Sequence, residues 1–378
     1  MIADLPDFPW DTLAAHKATA AAHPGGIVDL SVGTPVDPTP RVVQDALAGA
    51  ADAHGYPLTW GTPSLWEAVA AWFARRRGVP DLDPDAVLPT VGSKELVALL
   101  PTLLGLGPGD VVGIPAVAYP TYDVGARLAG ATTKVVDGLA ALGPVTAATT
   151  PRLLWLNSPS NPTGAVLPVP HLAKVVAWAR EHGVVVASDE CYAELDWRGA
   201  EAGGTAYPAF STGSTPSVLD PAVCGGSHEG LLAVYSLSKQ SNMAGYRAGF
   251  VAGDPGLVRG LLEVRKHAGM IVPTPVQAAM VAALGDDAHV STQKERYRAR
   301  RAVLAPALER AGFRIEHSDA GLYLWATREE DCWTTVTDLA ARGVLVAPGA
   351  FYGAAGRRHV RVALTASDER VAAAEQRL

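Results

Sequence analysis

Charge is scarce in this chain, cysteine is scarcer, and no apolar run is long enough to span a bilayer. Only 18% of the 378 residues are charged, against 48% hydrophobic. That balance excludes a solvated, disordered chain and suits buried parallel strands covered by Ala-rich helices. The net charge is −7, and no basic cluster dominates beyond short runs such as Arg75-Arg76-Arg77, so nucleic acid is not expected as a partner. Three cysteines, Cys191, Cys224 and Cys332, are odd in number and lack C-x-x-C spacing. Neither a disulfide framework nor a metal site is expected of them, and a reducing cytoplasm is the expected compartment. The histidines, among them His54, His228 and His359, are scattered without ligand spacing, so no metal is expected. The N-terminus carries Asp4, Pro6 and Asp7 where a secretory leader carries base and an apolar core. The most apolar stretch, Leu96 to Leu106, is short and interrupted by Pro101 and Gly105, so no membrane association is expected.

What is present is alternation. Short, nearly uniform apolar runs read as strands buried on both faces: Val28 to Val32, Val111 to Ile114, Leu153 to Leu156, Val184 to Ala187, Leu232 to Tyr235 and Phe250 to Ala252. Helical patterns lie between several of them, at Leu65 to Arg77, Lys94 to Leu104 and Leu172 to His182, with Gly78 and Gly183 as stops. Such a succession predicts an α/β open sheet. After Pro273 the pattern changes to a long helical tract, Val276 to Ala311, followed by short strands at Phe313 to His317, Gly321 to Ala326, Val344 to Val346 and Val360 to Leu364, a smaller α+β lobe. The Gly/Ser/Pro-rich stretch Gly199 to Gly230 reads as a long surface excursion.

In open α/β sheets, ligands bind beyond the carboxyl ends of the strands. Three successive strand candidates end in Asn157-Ser158-Pro159-Ser160-Asn161-Pro162-Thr163-Gly164, in Ser188-Asp189-Glu190-Cys191-Tyr192 and in Ser236-Leu237-Ser238-Lys239. They deliver an amide, a carboxylate with a phenol, and an amine. The simplest cofactor consistent with this set is pyridoxal phosphate. Lys239 would form an imine with it and later serve as the base at the substrate Cα. Asp189 would pair with the pyridine nitrogen, while Asn161 and Tyr192 would donate to the ring oxygen. For the phosphate, Gly92-Ser93-Lys94 opens a helical pattern and offers free N–H groups, with Ser236 and Arg247 adding a hydroxyl and a guanidinium. Arg361 is the candidate for bidentate capture of a substrate carboxylate.

The segment Ser236-Leu237-Ser238-Lys239-Gln240-Ser241-Asn242-Met243-Ala244-Gly245-Tyr246-Arg247-Ala248-Gly249 resembles the lysine-attachment signature of class I aminotransferases, within fold type I of the pyridoxal-phosphate enzymes. Asn161-Pro162-Thr163-Gly164, Asp189-Glu190-Cys191-Tyr192 and Arg361 stand in the family's order, and the resemblance runs from Ser31 to Arg361. It implies a mostly parallel seven-stranded-type sheet flanked by helices in a large domain at 39–267, and a small α+β domain formed by 1–38 and 268–378. It further implies Tyr119 stacked on the cofactor ring, Tyr56 reaching the phosphate of a neighbouring subunit in a homodimer, and substrate held by Arg361, Gly33 and Asn161. Trp66, where many relatives carry Arg, and Lys94 depart from the family pattern. Within the class, Lys239 to Asp254, Gly55 to Thr62 and Ile114 to Tyr122 are most similar to the succinyldiaminopimelate aminotransferases of high-GC bacteria. The expected substrates are therefore small amino and keto acids: glutamate and N-succinyl-2-amino-6-ketopimelate, in lysine biosynthesis. For the distal carboxylate, Arg41, Lys266 and His267 are candidates by position alone.

Each motif has a plainer alternative: Asn161-Pro162-Thr163-Gly164 as a simple turn, Asp189 as a helix cap, Lys239 as a solvated loop lysine. Joint occurrence at three strand ends favours the functional reading. Two other functions stay open from the residues, a lyase using the same cofactor and a cofactor-sensing module without turnover.

Overall fold

The computed structural model describes residues 5–143, 146, 149–198 and 215–378. Among the described residues thirteen strands follow one another: β1 (Val28–Asp29), β2 (Val87–Val91), β3 (Val111–Ile114), β4 (Thr132–Val135), β5 (Leu153–Asn157), β6 (Val185–Asp189), β7 (Leu231–Ser236), β8 (Ala248–Gly253), β9 (Arg314–Glu316), β10 (Tyr323–Thr327), β11 (Val344–Leu345), β12 (Ala347–Pro348) and β13 (His359–Ala363). Seven form one sheet in the order β2-β8-β7-β6-β5-β3-β4. The neighbours from β7 through β4 pair parallel, and β8 is antiparallel to both β2 and β7. This is the mostly parallel α/β sheet expected from the strand runs.

The central strands alternate strictly between two cores. Leu154, Leu156, Val186, Ala233, Tyr235 and Phe250 face one cluster, which includes Leu65, Trp72 and Val175. Leu153, Trp155, Ala187, Leu232, Val234 and Val251 face the other, with Leu96, Val97, Leu100 and Tyr122. Burial on both sides is why these strands read as continuous apolar runs.

The two strands that periodicity misses are the sheet's edges. β4 is half-exposed and carries Thr132, Thr133 and Lys134, the polarity that keeps an edge from pairing with other chains. β2 contains Pro89, tolerable because an edge strand leaves one row of N–H groups unused.

The second sheet is antiparallel, in the order β12-β13-β10-β9, and its core joins Leu304, Leu308, Leu324, Val336, Val360 and Val362. The tract at Val276 to Ala311 is two helices, Thr274–Gly285 and Asp287–Arg310. The break falls at Asp286, whose carboxylate caps the second helix by accepting from Ala288 N at 2.9 Å. The first of these helices buries Val276, Ala279 and Met280 in the large-sheet core.

The expected surface excursion is corrected in part. Residues 199–214 lie outside the described residues, but Thr215 to Asp220 are buried and run into a short helix at Pro221–Cys224. The buried Arg77–Glu190 pair fixes them: Glu190 accepts from Arg77 Nη2 at 2.7 Å, from Val218 N at 2.8 Å and from Ser217 Oγ at 3.2 Å. No helix among the described residues is long and apolar enough to cross a membrane.

Candidate active site

β5, β6 and β7 end side by side, with Asn157 opposite Asp189 and Asp189 opposite Val234. Asn157 organises the first strand end: its Nδ2 donates to Asp189 O at 3.0 Å and its Oδ1 accepts from Asn161 N at 2.7 Å. That ties the Asn161 backbone to the end of the next strand. Asp189 accepts from Tyr122 Oη at 2.9 Å and from Cys191 N at 3.2 Å. Burial raises its pKa from the ordinary carboxylate value, and the hydrogen bonds from Cys191 and Tyr122 offset this only partly. No Lys, Arg or His pairs with it among the described residues.

Lys239 follows β7, and its Nζ donates to Gly33 O. Loss of solvent lowers the amine's pKa from the ordinary lysine value; Tyr323 opposes this and Arg361 adds to it. A lysine biased toward the neutral amine suits a nucleophile and base. The charges of both Asp189 and Lys239 act on Cys191 and on Tyr323, so carboxylate and amine lie within electrostatic reach of the same two side chains.

Arg361, on β13, is 3% exposed. Its Nη1 donates to Asn161 Oδ1 at 3.0 Å and its Nη2 to Ser31 O at 2.6 Å, while Nε has no partner among the described residues. The guanidinium carbon lies 3.9 Å from the Tyr323 ring centroid, 5.2 Å from that of Tyr352 and 5.9 Å from that of Trp10. These aromatic faces hold the cation by its quadrupole attraction and keep water away.

Gly92 joins β2 to the helix Ser93–Leu103 with φ of 72°. A Cβ there would come within 2.2 Å of Arg247 Nη2, so the turn and the guanidinium face one another closely. The first N–H groups of that helix lie at this turn. Ser236 Oγ donates to Ser238 Oγ at 2.8 Å, at the other side of the lysine loop.

Other residues singled out from the sequence have surroundings of their own. The Lys94 side chain lies over the Phe8 ring, 5.1 Å from its centroid, so its ammonium belongs to the N-terminal segment, and only its backbone N–H is left for the turn. Tyr56 is fully exposed and does not enter its own chain's pocket. Arg41 pairs with Asp45 at 3.1 Å and Lys266 with Glu263 at 2.7 Å, both on exposed helix faces; Arg41 also borders a separate cavity of about 390 Å³ with His289 and Arg296. His267 lies exposed in the last turn of the helix Pro255–Ala268. Trp66 packs on Trp60 at 4.3 Å and donates to its carbonyl.

Tyr119 is partly buried and meets Tyr122 edge to face at 5.9 Å; burial pushes its phenol up to about 12, with a hydrogen bond from Thr121 opposing. Tyr192 Oη lies 3.1 Å from Tyr323 Oη. Two residues of the pocket, Tyr122 and Tyr323, carry no role in the motif reading. Tyr122 stands in the first turn of the helix Thr121–Leu128, three positions after Tyr119, which precedes that helix. Tyr323 depends on the β10–β13 register, which no local pattern reveals.

The chemistry of this donor set fits pyridoxal phosphate. A buried carboxylate without a cationic partner suits a pyridinium nitrogen, a desolvated amine suits an aldehyde carbon, and a turn closed against Cβ beside a guanidinium suits a phosphate. An open α/β sheet that gathers these groups at adjacent strand ends defines a fold type I enzyme of this cofactor.

Residues 26–378 match the family described as aminotransferase class I and II. The chain is 60% identical over 377 residues to 4-dedimethylamino-4-oxo-anhydrotetracycline transaminase OxyQ of Streptomyces rimosus, covering 99% of both chains. It is 62% identical over 376 residues to a probable aminotransferase of Mycobacterium tuberculosis, covering 100% of this chain and 86% of that one. Its fold superposes on a probable N-succinyldiaminopimelate aminotransferase from Thermus thermophilus with a TM-score of 0.84 at 30% identity, covering 98% of this chain and 100% of that one. The chain belongs to the class I and II aminotransferases and is a pyridoxal-phosphate-dependent aminotransferase.

Proposed function

We propose that this enzyme moves an amino group between glutamate and N-succinyl-2-amino-6-ketopimelate, forming N-succinyl-LL-2,6-diaminopimelate in lysine biosynthesis. The observation that carries the reading is one connected set: Lys239 bonded to Gly33, and Arg361 bonded to Ser31 and Asn161. Arg361 captures the α-carboxylate of either substrate, displacing its present partners, and Gly33 and Asn161 border the same position. Lys239 Nζ, whose pKa burial lowers, would act as the base that takes the proton from the substrate Cα and gives it back on the cofactor side. Bound pyridoxal phosphate supplies the electron sink that makes that proton removable. Asp189 would hold the ring nitrogen protonated, Tyr119 would pack on the ring face, and Tyr192 and Asn161 would donate to its oxygen. Gly92, Ser93, the Lys94 backbone, Ser236 and Arg247 would hold the phosphate. The likeness to the Thermus protein supports the succinylated substrate.

A second reading follows from the aromatic faces of Tyr323, Tyr352 and Trp10 around Arg361. They suit a ring-bearing keto substrate, as does the 60% identity to a transaminase named for an oxo-anhydrotetracycline. A donor and acceptor screen with the purified holoenzyme separates the two. Glutamate with the succinylated keto acid is expected to exceed aspartate, alanine, aromatic and kynurenine pairs, and Lys239→Ala to abolish turnover. Preference for a polycyclic ketone would replace the first reading with the second.

The division into 39–267 and 1–38 with 268–378 is proposed with it, except that the helix Thr274–Gly285 packs in the large-sheet core; a homodimer in which the exposed Tyr56 reaches the partner's phosphate is proposed too. Light scattering at low protein concentration tests the assembly, and a monomer with full activity would refute the shared site.

A further inference from the structure

Two phenols from different sheets meet at the centre of the pocket. Tyr192 follows β6 and Tyr323 lies on β10, yet their hydroxyl oxygens are 3.1 Å apart and both side chains are buried. The rings meet edge to face at 5.6 Å. Tyr323 is held from its other sides as well. Arg361 stacks against its ring at 3.9 Å. A Cβ at Gly33 would fall 2.0 Å from the Tyr323 hydroxyl oxygen, so that hydroxyl sits against the residue whose carbonyl accepts from Lys239.

We propose that Tyr323 is a positioning residue for the reaction: it donates its hydroxyl hydrogen to Tyr192 and so directs the Tyr192 proton to the cofactor's ring oxygen beside Lys239. The inference rests on the role of Tyr192 proposed above. Two phenols at this distance share one hydrogen bond, and whichever donates leaves the other's proton for a third group. Tyr192 has a single hydroxyl hydrogen, and in the role proposed for it that hydrogen goes to the ring oxygen; the 3.1 Å contact between the two oxygens is then made with the hydrogen of Tyr323. Tyr323 therefore donates and Tyr192 accepts. Tyr192 then presents its own proton to the ring oxygen, which draws electron density from the ring and makes the adjacent Lys239 nitrogen less basic. A phenylalanine at 323 keeps the ring against Arg361 and loses only this hydrogen.

The test titrates the visible absorbance of four holoenzymes against pH: wild type, Tyr323→Phe, Tyr192→Phe and the double variant, each checked for folding by circular dichroism. The Tyr323→Phe midpoint is expected to rise by about 0.5–1 pH unit, the size of one neutral hydrogen bond. Tyr192→Phe should move it at least as far, and the double variant no further than Tyr192→Phe alone. Fluorescence titration of the apoproteins with pyridoxal phosphate gives a second readout, with Tyr323→Phe binding roughly threefold more weakly. A Tyr192→Phe shift without a Tyr323→Phe shift overturns the inference, and so does a double variant whose shift is the sum of the two. If Tyr192→Phe leaves the midpoint where it was, the role of Tyr192 fails first and the inference with it.

Discussion

Tyr122 Oη donates to Asp189 Oδ2 at 2.9 Å, and behind it the Tyr122 ring stacks on Trp155 at 4.8 Å. Trp155 lies on β5 and Asp189 on β6, so the phenol spans the ends of two neighbouring strands and holds the carboxylate by a side chain that has no freedom of its own. Tyr122→Phe removes the bond and little volume. The protein is expected to lose about 1 kcal/mol of stability in denaturant titration. The apoprotein should bind pyridoxal phosphate about three- to tenfold more weakly, since a loosened Asp189 meets the ring nitrogen less well. Unchanged affinity would mean that the Cys191 amide alone positions the acid.

Asp189 is shifted against the usual carboxylate direction. Burial raises its pKa, with the Cys191 and Tyr122 hydrogen bonds opposing, so the folded apoprotein holds this proton more tightly than the unfolded chain. The stability it contributes is fully present below the unfolded carboxylate value of 3.8 and is lost as pH rises through the higher folded one. Asp189→Asn should therefore raise the melting temperature of the apoprotein at neutral pH, by roughly 2–4 °C for each kcal/mol relieved. The gap should close as the pH is lowered into the carboxylate range. In the holoenzyme the same change should lower kcat on the order of 100-fold, because an amide does not hold the ring nitrogen protonated. A lower apoprotein melting temperature would show that the hydrogen bonds outweigh burial.

Arg361 makes two hydrogen bonds in a fixed fork under three aromatic rings. Lysine carries the charge without the fork or the flat face. Arg361→Lys is expected to reduce kcat/KM for glutamate about 100-fold, mostly through KM, with little change in cofactor affinity. Steady-state kinetics at saturating acceptor would reveal the split. A pure kcat effect would point to misplacement of Asn161 as the cause.

The Arg77–Glu190 pair supports the strand end from below without touching the pocket. Both side chains are almost wholly buried and separated by 2.7 Å. Glu190→Gln leaves Arg77 inside without its counter-charge, and a cost of about 3 kcal/mol in equilibrium unfolding is expected. The kcat per folded molecule should stay within about twofold. A large kcat loss at unchanged stability would place Glu190 in the chemistry.

The parts of the fold that were legible are those whose environment is the same on both sides. Central strands such as Leu153–Asn157 and Leu231–Ser236 are apolar throughout because both faces are buried, and they announce themselves. The edges at Val87–Val91 and Thr132–Val135 do not, since proline and polar residues there serve edge protection. In the candidate site, the places of Asn161, Asp189 and Lys239 were legible because each stands at or within four residues of the end of a buried strand. Where the Lys94 side chain goes was not legible, because its place in the turn fixes only the backbone, and the ammonium lies over the Phe8 ring. Tyr323 stayed hidden because its neighbours are set by the pairing of β10 with β13 across the chain.

Main-chain bonds join the loop carrying Asn161 to the approach of β10: Ser318 N donates to Thr163 O at 2.9 Å, and Ala320 N to Gly164 O at 3.0 Å. At Gly164, with φ of 73°, a Cβ would fall 2.5 Å from Ala320 O. This seam is therefore written in backbone and holds whatever side chains decorate it, with a single letter that cannot be respelled. Evolutionary drift is free to recut the pocket for new keto acids while Asn161 and Tyr323 keep their mutual address.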